Sequence, residues 1–492
     1  MAALDGSGHA GRLDRLSPLD VSNLRVEDHG LPMHVAGLAI LEGLPRLDDS
    51  GRPWLEALME MLEQRLYLAP RFRQVLHTPP FGLGPPLWVD DPAFDIRRHV
   101  QTRAIPSPGN DTDLLEVCSD LNESPLDRSR PLWEVWVLTG LAEGRVGLLI
   151  RLHHVVADGI AALAMIGALL DTAPHVRFPP APSRTPQPPP SAWELFTDNL
   201  SQRAAAWRRA ISGFRHPPRL LGRLGSMVRQ IRRLRREGIA PRVSLNGPVG
   251  RRRRLLLVRT DLERVKAIAH AHGAKVNDVV LTAVAGGARK LLTSRGELKP
   301  GLVLKASVAT SIRDSGDELG TGNRVGIMIV PIPVGEPDPM RRLEEIARAT
   351  TNRKRQRPYQ PSARFSQRWM VRVMFRQRLV NLLTSNLPGP PIPMYFAGAR
   401  VLELFQVGVV QGNIALGVGT ISYAGRLNFD VIGDADIIPD LELFAEGLAD
   451  TLRQLGIEQE GESTGSTAAA FSEMSDQTRI ADVDGRLSSP NS

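Results

Sequence analysis

The chain has 492 residues, 42% of them hydrophobic and 23% charged. That balance excludes a disordered or fibrous protein and leaves room for two or three ordinary domains around a large core. The chain is basic, with a formal net charge of +8 and a pI of about 10.1. Nucleic acid, anionic lipid and phosphate-bearing small molecules all stay open as partners. The single cysteine, Cys118, excludes an intramolecular disulfide framework.

The N-terminus carries no apolar core of a secretory signal, so the expectation is synthesis and residence on the cytoplasmic side. Met33 to Leu41 reads as a strand, and Trp54 to Leu68 has helical spacing and length. Asp113 to Leu121 is helical, which makes Cys118 buried filler rather than a nucleophile. Val146 to Leu152 is a short apolar run bounded by Gly144, the signature of a buried strand. It leads into His153-His154-Val155-Val156-Ala157-Asp158-Gly159, and a second apolar run, Ile160 to Leu170, has helical length. Two histidines thus stand where a strand gives way to a turn. Adjacent strand residues point to opposite faces, so only one of the two can face a given cleft. A histidine there can take a proton from a hydroxyl at neutral pH. Asp158 either caps the following helix or turns back to brace the loop, and Gly159 permits a tight turn. Opposite-facing histidines cannot easily share an ion, and no further ligands stand at recognisable spacing, so no metal is expected.

Phe178 to Pro190 is a proline-rich connector that can be neither helix nor central strand. Two helical patterns follow, Ala192 to Phe214 and Arg219 to Arg236, and from Arg203 to Arg236 there are eleven arginines and no acid. In the second pattern Leu220, Leu224, Val228 and Ile231 recur at helical spacing among the arginines. It reads either as a packed helix with a solvated basic face or as an interfacial helix on anionic lipid. No recognisable nucleic-acid fold accompanies the charge, so nucleic acid is not expected as a partner. Beyond Pro248 strand and helix patterns resume: a strand at Arg253 to Val258, helices at Asp261 to His272 and Asp278 to Leu292, and strands at Val303 to Val308, Val325 to Val334 and Val401 to Val410. The uncharged stretch Gln406 to Gly425 carries five glycines and reads as strands and turns, not a membrane span. The expected organisation is a first mixed α/β half at 1–178, the connector and basic helices at 179–245, a second half at 246–456, and a disordered polar tail at 457–492.

Several blocks together carry a resemblance. The His-His-x-x-x-Asp-Gly stretch resembles the signature of the CoA-dependent acyltransferase superfamily. Arg15-Leu-Ser-Pro-Leu-Asp20, Pro32-Met-His-Val35, Trp88-Val-Asp-Asp91 and Pro125-Leu-Asp-Arg-Ser-Arg-Pro-Leu-Trp133 lie upstream of it. Leu245-Asn-Gly-Pro248, Val276-Asn277-Asp278-Val279, Gly322-Asn323, Ser385-Asn-Leu-Pro-Gly-Pro390, Ser422-Tyr423-Ala-Gly425 and Pro439-Asp440 follow. In that order they resemble the bacterial wax ester synthase/diacylglycerol acyltransferase family from about Arg15 to about Leu455. Asn23, Leu387, the loose Ala309 to Asp314 block and the basic run Arg251 to Arg254 depart from the pattern.

The resemblance implies two pseudo-symmetric α/β halves of the chloramphenicol acetyltransferase type, with the active site at their junction. It implies direct transfer of a fatty acyl group from acyl-CoA, as co-substrate with no bound cofactor, to diacylglycerol. His154 is then the general base and His153 its support. Asp158 is structural, with Arg313 as its candidate partner. Asn277 and Asp278 shape the site, with Asn277 either donating to an oxyanion or only capping a helix. Pro131, Leu132 and Trp133 either wall an acyl site or pack the core. A long-chain alcohol acceptor giving wax esters, and a non-catalytic, membrane-associated lipid-binding relative, are the alternatives. The expected setting is a peripheral one, on the inner face of a membrane or on a lipid droplet, and nothing in the sequence signals an oligomeric state.

Overall fold

The computed structural model describes residues 13–44, 53–156, 162, 166–174, 185–215, 225, 238–311, 325–354 and 375–457. Helix α1 (Pro18–Glu27) begins at Ser17, whose hydroxyl accepts the Asp20 N–H while the Asp20 carboxylate returns to the Ser17 backbone, with proline in the first turn. Among the described residues the further α-helices are α2 (Trp54–Arg65), α3 (Asp111–Glu123), α4 (Ala192–Arg215), α5 (Leu262–Ala271), α6 (Val276–Ser294), α7 (Pro339–Lys354) and α8 (Leu441–Gln454).

Two six-stranded mixed sheets form the frame. In the first half run β1 (His34–Leu41), β4 (Val100–Ala104), β5 (Trp133–Thr139) and β6 (Val146–His153), with β2 (Gln74–His77) and β3 (Leu87–Asp90) making a separate hairpin. The second half supplies β7 (Arg253–Asp261), β8 (Leu304–Ser311), β9 (Val325–Ile332), β10 (Leu382–Pro388), β11 (Tyr395–Phe396), β12 (Ala399–Val407), β13 (Leu416–Tyr423) and β14 (Arg426–Asp434). The second sheet runs β7-β14-β13-β10-β8-β9, and the first runs β11-β12-β1-β6-β5-β4. Strands β11 and β12 therefore leave their own half and complete the other's sheet. Ala36 to Leu41 pairs antiparallel with Val401 to Val407 on one side and with Val146 to Arg151 on the other. The division at 246–456 did not anticipate this exchange.

Strand β1 is buried on both faces along almost its whole length, which is why it reads as an almost unbroken apolar run, and β6 is buried throughout. The main core runs through both halves, joining Leu38, Ile40 and Leu149 of the first sheet to Leu255, Val258 and Phe405. Polar ties lock the same junction. Arg259 on β7 reaches Glu403 on β12 at 2.8 Å and Asp111 on α3 at 2.7 Å. Gln406 on β12 donates to the carbonyls of Ser385 and Thr420 at 3.0 and 2.9 Å.

The basic run finds partners inside the fold. Arg251 donates to the Gly30 carbonyl, Arg252 pairs with Asp436, buried Arg253 lies near Asp434, and Arg254 pairs with Glu442. Ile457, the first residue of the expected tail, is fully buried. Residues 458–492 and the basic pattern Arg219 to Arg236, apart from Gly225, lie outside the described residues.

Candidate active site

Strand β6 ends at His153, and the last backbone donors of the double histidine diverge. The His153 N–H donates to the Leu132 carbonyl at 3.0 Å, and the His154 N–H donates to the Met33 carbonyl at 2.8 Å. Three separate sequence blocks, Pro32 to Val35, Pro125 to Trp133 and the motif itself, are stitched together at this one point. His34 stands directly opposite His153 in the β1–β6 register.

His153 is completely buried. Its Nδ1 accepts the Val155 N–H at 3.1 Å, which places the ring proton on Nε2, and Nε2 lies 3.3 Å from Glu27 Oε2. Glu27 closes α1 and also receives Arg128 Nε at 2.7 Å, while Arg128 continues to Asp28 at 2.7 Å and to the Leu24 carbonyl at 2.9 Å. Burial pushes the Glu27 carboxyl up, but the contact with His153 and the hydrogen bond and charge of Arg128 outweigh it and hold it down at about 2. Beside this triad, His34 Nε2 meets Asn122 Oδ1 at 2.9 Å, and Arg151 reaches Glu134 at 2.9 Å and the Ser124 carbonyl. Burial, then the charge of Arg151, push His34 well below the usual imidazole range, so it stays neutral. A buried ionic layer thus fixes one face of the motif strand. His154, one residue on, is only half-buried.

Past the motif the chain is pinned again. Asp171 receives Arg65 at 2.7 Å in a buried pair and exchanges backbone hydrogen bonds with Tyr395 of the incoming β11 at 2.8 Å. The segment between is held at both ends. Asp158 and Gly159 within it, and Arg313, lie outside the described residues.

Pro131, Leu132 and Trp133 are all buried. Trp133 donates to the Phe72 carbonyl at 2.8 Å and stacks on His99 with ring centroids 4.5 Å apart, so its place is in the packed core. In the second half α6 starts at Val276, two residues earlier than Asp278. Asn277 consequently sits in the first turn and is not the cap. Asp278 is buried, with one carboxylate oxygen on the Lys275 N–H at 2.9 Å and the other receiving the Thr350 hydroxyl at 2.8 Å. Asp278 fixes the start of α6 against α7, while Asn277 beside it is half-buried. Cys118 is buried on α3, and burial pushes its thiol up to about 12. Its thiolate is scarce at neutral pH, which removes the nucleophilic form.

Glu27, Arg128, Arg151 and Asn122 were not singled out from sequence. Arg128 lies inside the Pro125 to Trp133 block, and its position there was the available signal. Glu27 offered none.

The catalytic-domain model of the wax ester synthase/diacylglycerol acyltransferase family matches residues 16–280, and the C-terminal-domain model of the same family matches residues 321–456. The chain belongs to this family. A probable diacylglycerol O-acyltransferase of Mycobacterium tuberculosis is 33% identical over 471 residues, covering 90% of this chain and 96% of the relative. A second such protein from the same organism is 30% identical over 462 residues, covering 90% and 99%. Among solved structures, the wax ester synthase/diacylglycerol acyltransferase from Marinobacter aquaeolei VT8 superposes with a TM-score of 0.63 at 24% identity, covering 90% of this chain and all of that one. The starter condensation domain of rhizomide synthetase superposes with a TM-score of 0.57 at 13% identity, covering 92% and 96%. Both likenesses are of fold. Family membership and the two-sheet architecture agree with the resemblance carried by the ordered sequence blocks.

Proposed function

We propose that this family member transfers a long-chain fatty acyl group from acyl-CoA to the free hydroxyl of diacylglycerol, forming triacylglycerol and releasing CoA. His154 is the general base. It takes the hydroxyl proton as the acceptor oxygen bonds to the thioester carbonyl carbon. Collapse of the tetrahedral adduct breaks the carbon–sulfur bond, and the imidazolium returns the proton to the departing thiolate. The observation that carries the assignment is the contrast between neighbours. His153 has one ring nitrogen on a backbone donor and the other against Glu27 in the interior, whereas His154 keeps exposed surface where the strand ends. His153 supports the turn. Asp158 orders the loop with Arg313, and Asn277 shapes the site.

Diacylglycerol is favoured as acceptor because relatives 30–33% identical over most of the chain are named diacylglycerol O-acyltransferases. Acyl-CoA as donor is supported by the fold, since the rhizomide synthetase condensation domain was solved in complex with C8-CoA. The matching family model also covers wax ester synthases, so a long-chain alcohol is the second acceptor to assay. Cys118 at about 12 favours direct transfer without an acyl-cysteine. Diacylglycerol is insoluble, so the reaction belongs at a lipid surface, on the inner face of a membrane or a lipid droplet. No helix among the described residues is long and apolar enough to cross a membrane.

The test is turnover of acyl-CoA with diacylglycerol and with a long-chain alcohol, for wild type and His154→Ala. Loss of about 10²–10⁴-fold in turnover with an unchanged melting profile is expected. Near wild-type turnover in the variant refutes the base assignment. No turnover by wild type with either acceptor supports a non-catalytic lipid-binding role instead.

A further inference from the structure

Helix α4 carries an apolar stripe turned away from the protein. Trp193 and Trp207 are each 71% exposed, Leu200 is 56% exposed and Phe196 45% exposed. Four of the seven exposed large hydrophobic side chains found among the described residues therefore lie on this one helix. At 3.6 residues per turn these four positions fall within about 60° of one another, along roughly 20 Å of helix. Trp193 and Phe196 stack, with ring centroids 5.7 Å apart.

The opposite face holds the helix to the body. Leu195 is buried, its carbonyl accepts Arg15, and Asp198 pairs with Arg15 at 2.6 Å. Asp198 also receives Gln202 one turn on. The orientation of the stripe is set by these anchors.

We propose that the outward face of α4 docks the enzyme on an anionic lipid surface. Charge complementarity singles out that occupant. Arg203 and Arg208 are exposed beside Leu200 and Trp207, and the chain carries no acid from Arg203 to Arg236. Tryptophan suits the boundary between headgroups and acyl chains, because its ring is largely apolar and its N–H stays wet. Basic side chains beside it meet anionic headgroups. A helix lying flat with aromatic residues down and arginines at its flanks binds in the plane of the interface without spanning it. This places the lipid contact on α4, upstream of the Arg219 to Arg236 pattern. It rests on the reading that the acceptor is a lipid met at a surface.

The experiment is co-sedimentation of the full chain with vesicles of phosphatidylcholine alone or of phosphatidylcholine with phosphatidylglycerol. It compares wild type, the variant Trp193→Ser/Phe196→Ser/Leu200→Ser/Trp207→Ser, and the variant Arg203→Gln/Arg208→Gln. Wild type should bind the anionic vesicles more tightly, and added salt should weaken that binding. The apolar variant should lose binding to both vesicles by at least about tenfold. The arginine variant should weaken the anionic preference and keep its binding to phosphatidylcholine, since the apolar stripe remains. Circular dichroism of each variant verifies the fold, and all substituted side chains are exposed. Binding is read without turnover, so wild-type turnover on a short soluble acceptor tests the acyl-transfer reading separately. Unchanged vesicle binding by the apolar variant overturns the proposal. So does a wild-type dimer, seen by sedimentation, that the apolar variant dissolves, because the stripe is then a contact between copies.

Discussion

Glu27→Gln tests the buried layer beneath the motif, because it keeps the size of the side chain and removes its charge. Glu27 is only 8% exposed, and its carboxylate stands between Arg128 Nε at 2.7 Å and His153 Nε2 at 3.3 Å. A carboxyl with an ordinary value of 4.5 that the fold holds at about 2 is stabilised in its charged form by about 3 kcal/mol. Arg128 is 37% exposed and keeps Asp28 and the Leu24 carbonyl, so water and these partners recover part of the loss. The expected cost at pH 7 is about 2 kcal/mol. Its pH dependence follows from the sign. The value is depressed in the folded state, so the stabilisation is full above 4.5 and is lost as pH falls towards about 2. Thermal unfolding followed by tryptophan fluorescence should show wild type above the variant at pH 7, with the gap narrowing through that acid window. Equal midpoints at pH 7, or a gap that stays constant to pH 3, refute the reasoning. A double-mutant cycle with His153→Gln should show coupling between the two residues.

Trp133→Ala should cost about 3–5 kcal/mol and lower the soluble yield, since it empties a fully buried site and orphans the Phe72 carbonyl. A variant as stable as wild type but altered in acyl-chain preference would instead make Trp133 part of the acyl wall. Cys118 should resist thiol reagents in the native protein and react at once in denaturant, and Cys118→Ala should keep acyl transfer. Loss of turnover in a folded Cys118→Ala protein would point to an acyl-cysteine.

Strand β6 was legible to the residue because a short apolar run bounded by Gly144 and closed by a histidine pair leaves little choice of ends. Helix α4 was read to within one residue, and Gly273, at a φ of +61°, ends the stretch after α5 as its position predicts. Helix α1 escaped notice for a physical reason. It buries Asp20, Ser22, Asn23 and Glu27 along with its leucine and valines, so it shows no apolar stripe against a polar one. Glu27 finds its partners, Arg128 and His153, far away in sequence, and periodicity carries no information about those. Asn277 and Asp278 were found as a motif, but neither is the cap, because α6 starts at Val276 after Lys275, a start that an unremarkable apolar residue conceals. The apolar surface on α4 was similarly hidden. Spacing marks the stripe, but only the Arg15–Asp198 anchor decides which face turns outward.

If His154 is the base proposed above, the strand exchange constrains how substrate reaches it. Strand β1 is hydrogen-bonded on one edge to the motif strand β6 and on the other to β12, which is covalently part of the second half. Swinging the halves apart would break the β1–β12 ladder and the Arg259–Asp111 pair. Each lost buried hydrogen bond leaves donors and acceptors unpaired at about 1–3 kcal/mol apiece. Six paired positions make that opening far costlier than the thermal energy available on the time scale of turnover. On the proposed assignment of His154, donor and acceptor approach along the junction between the two sheets. The double histidine, held between Met33 and Leu132, stays in register with both while they do so.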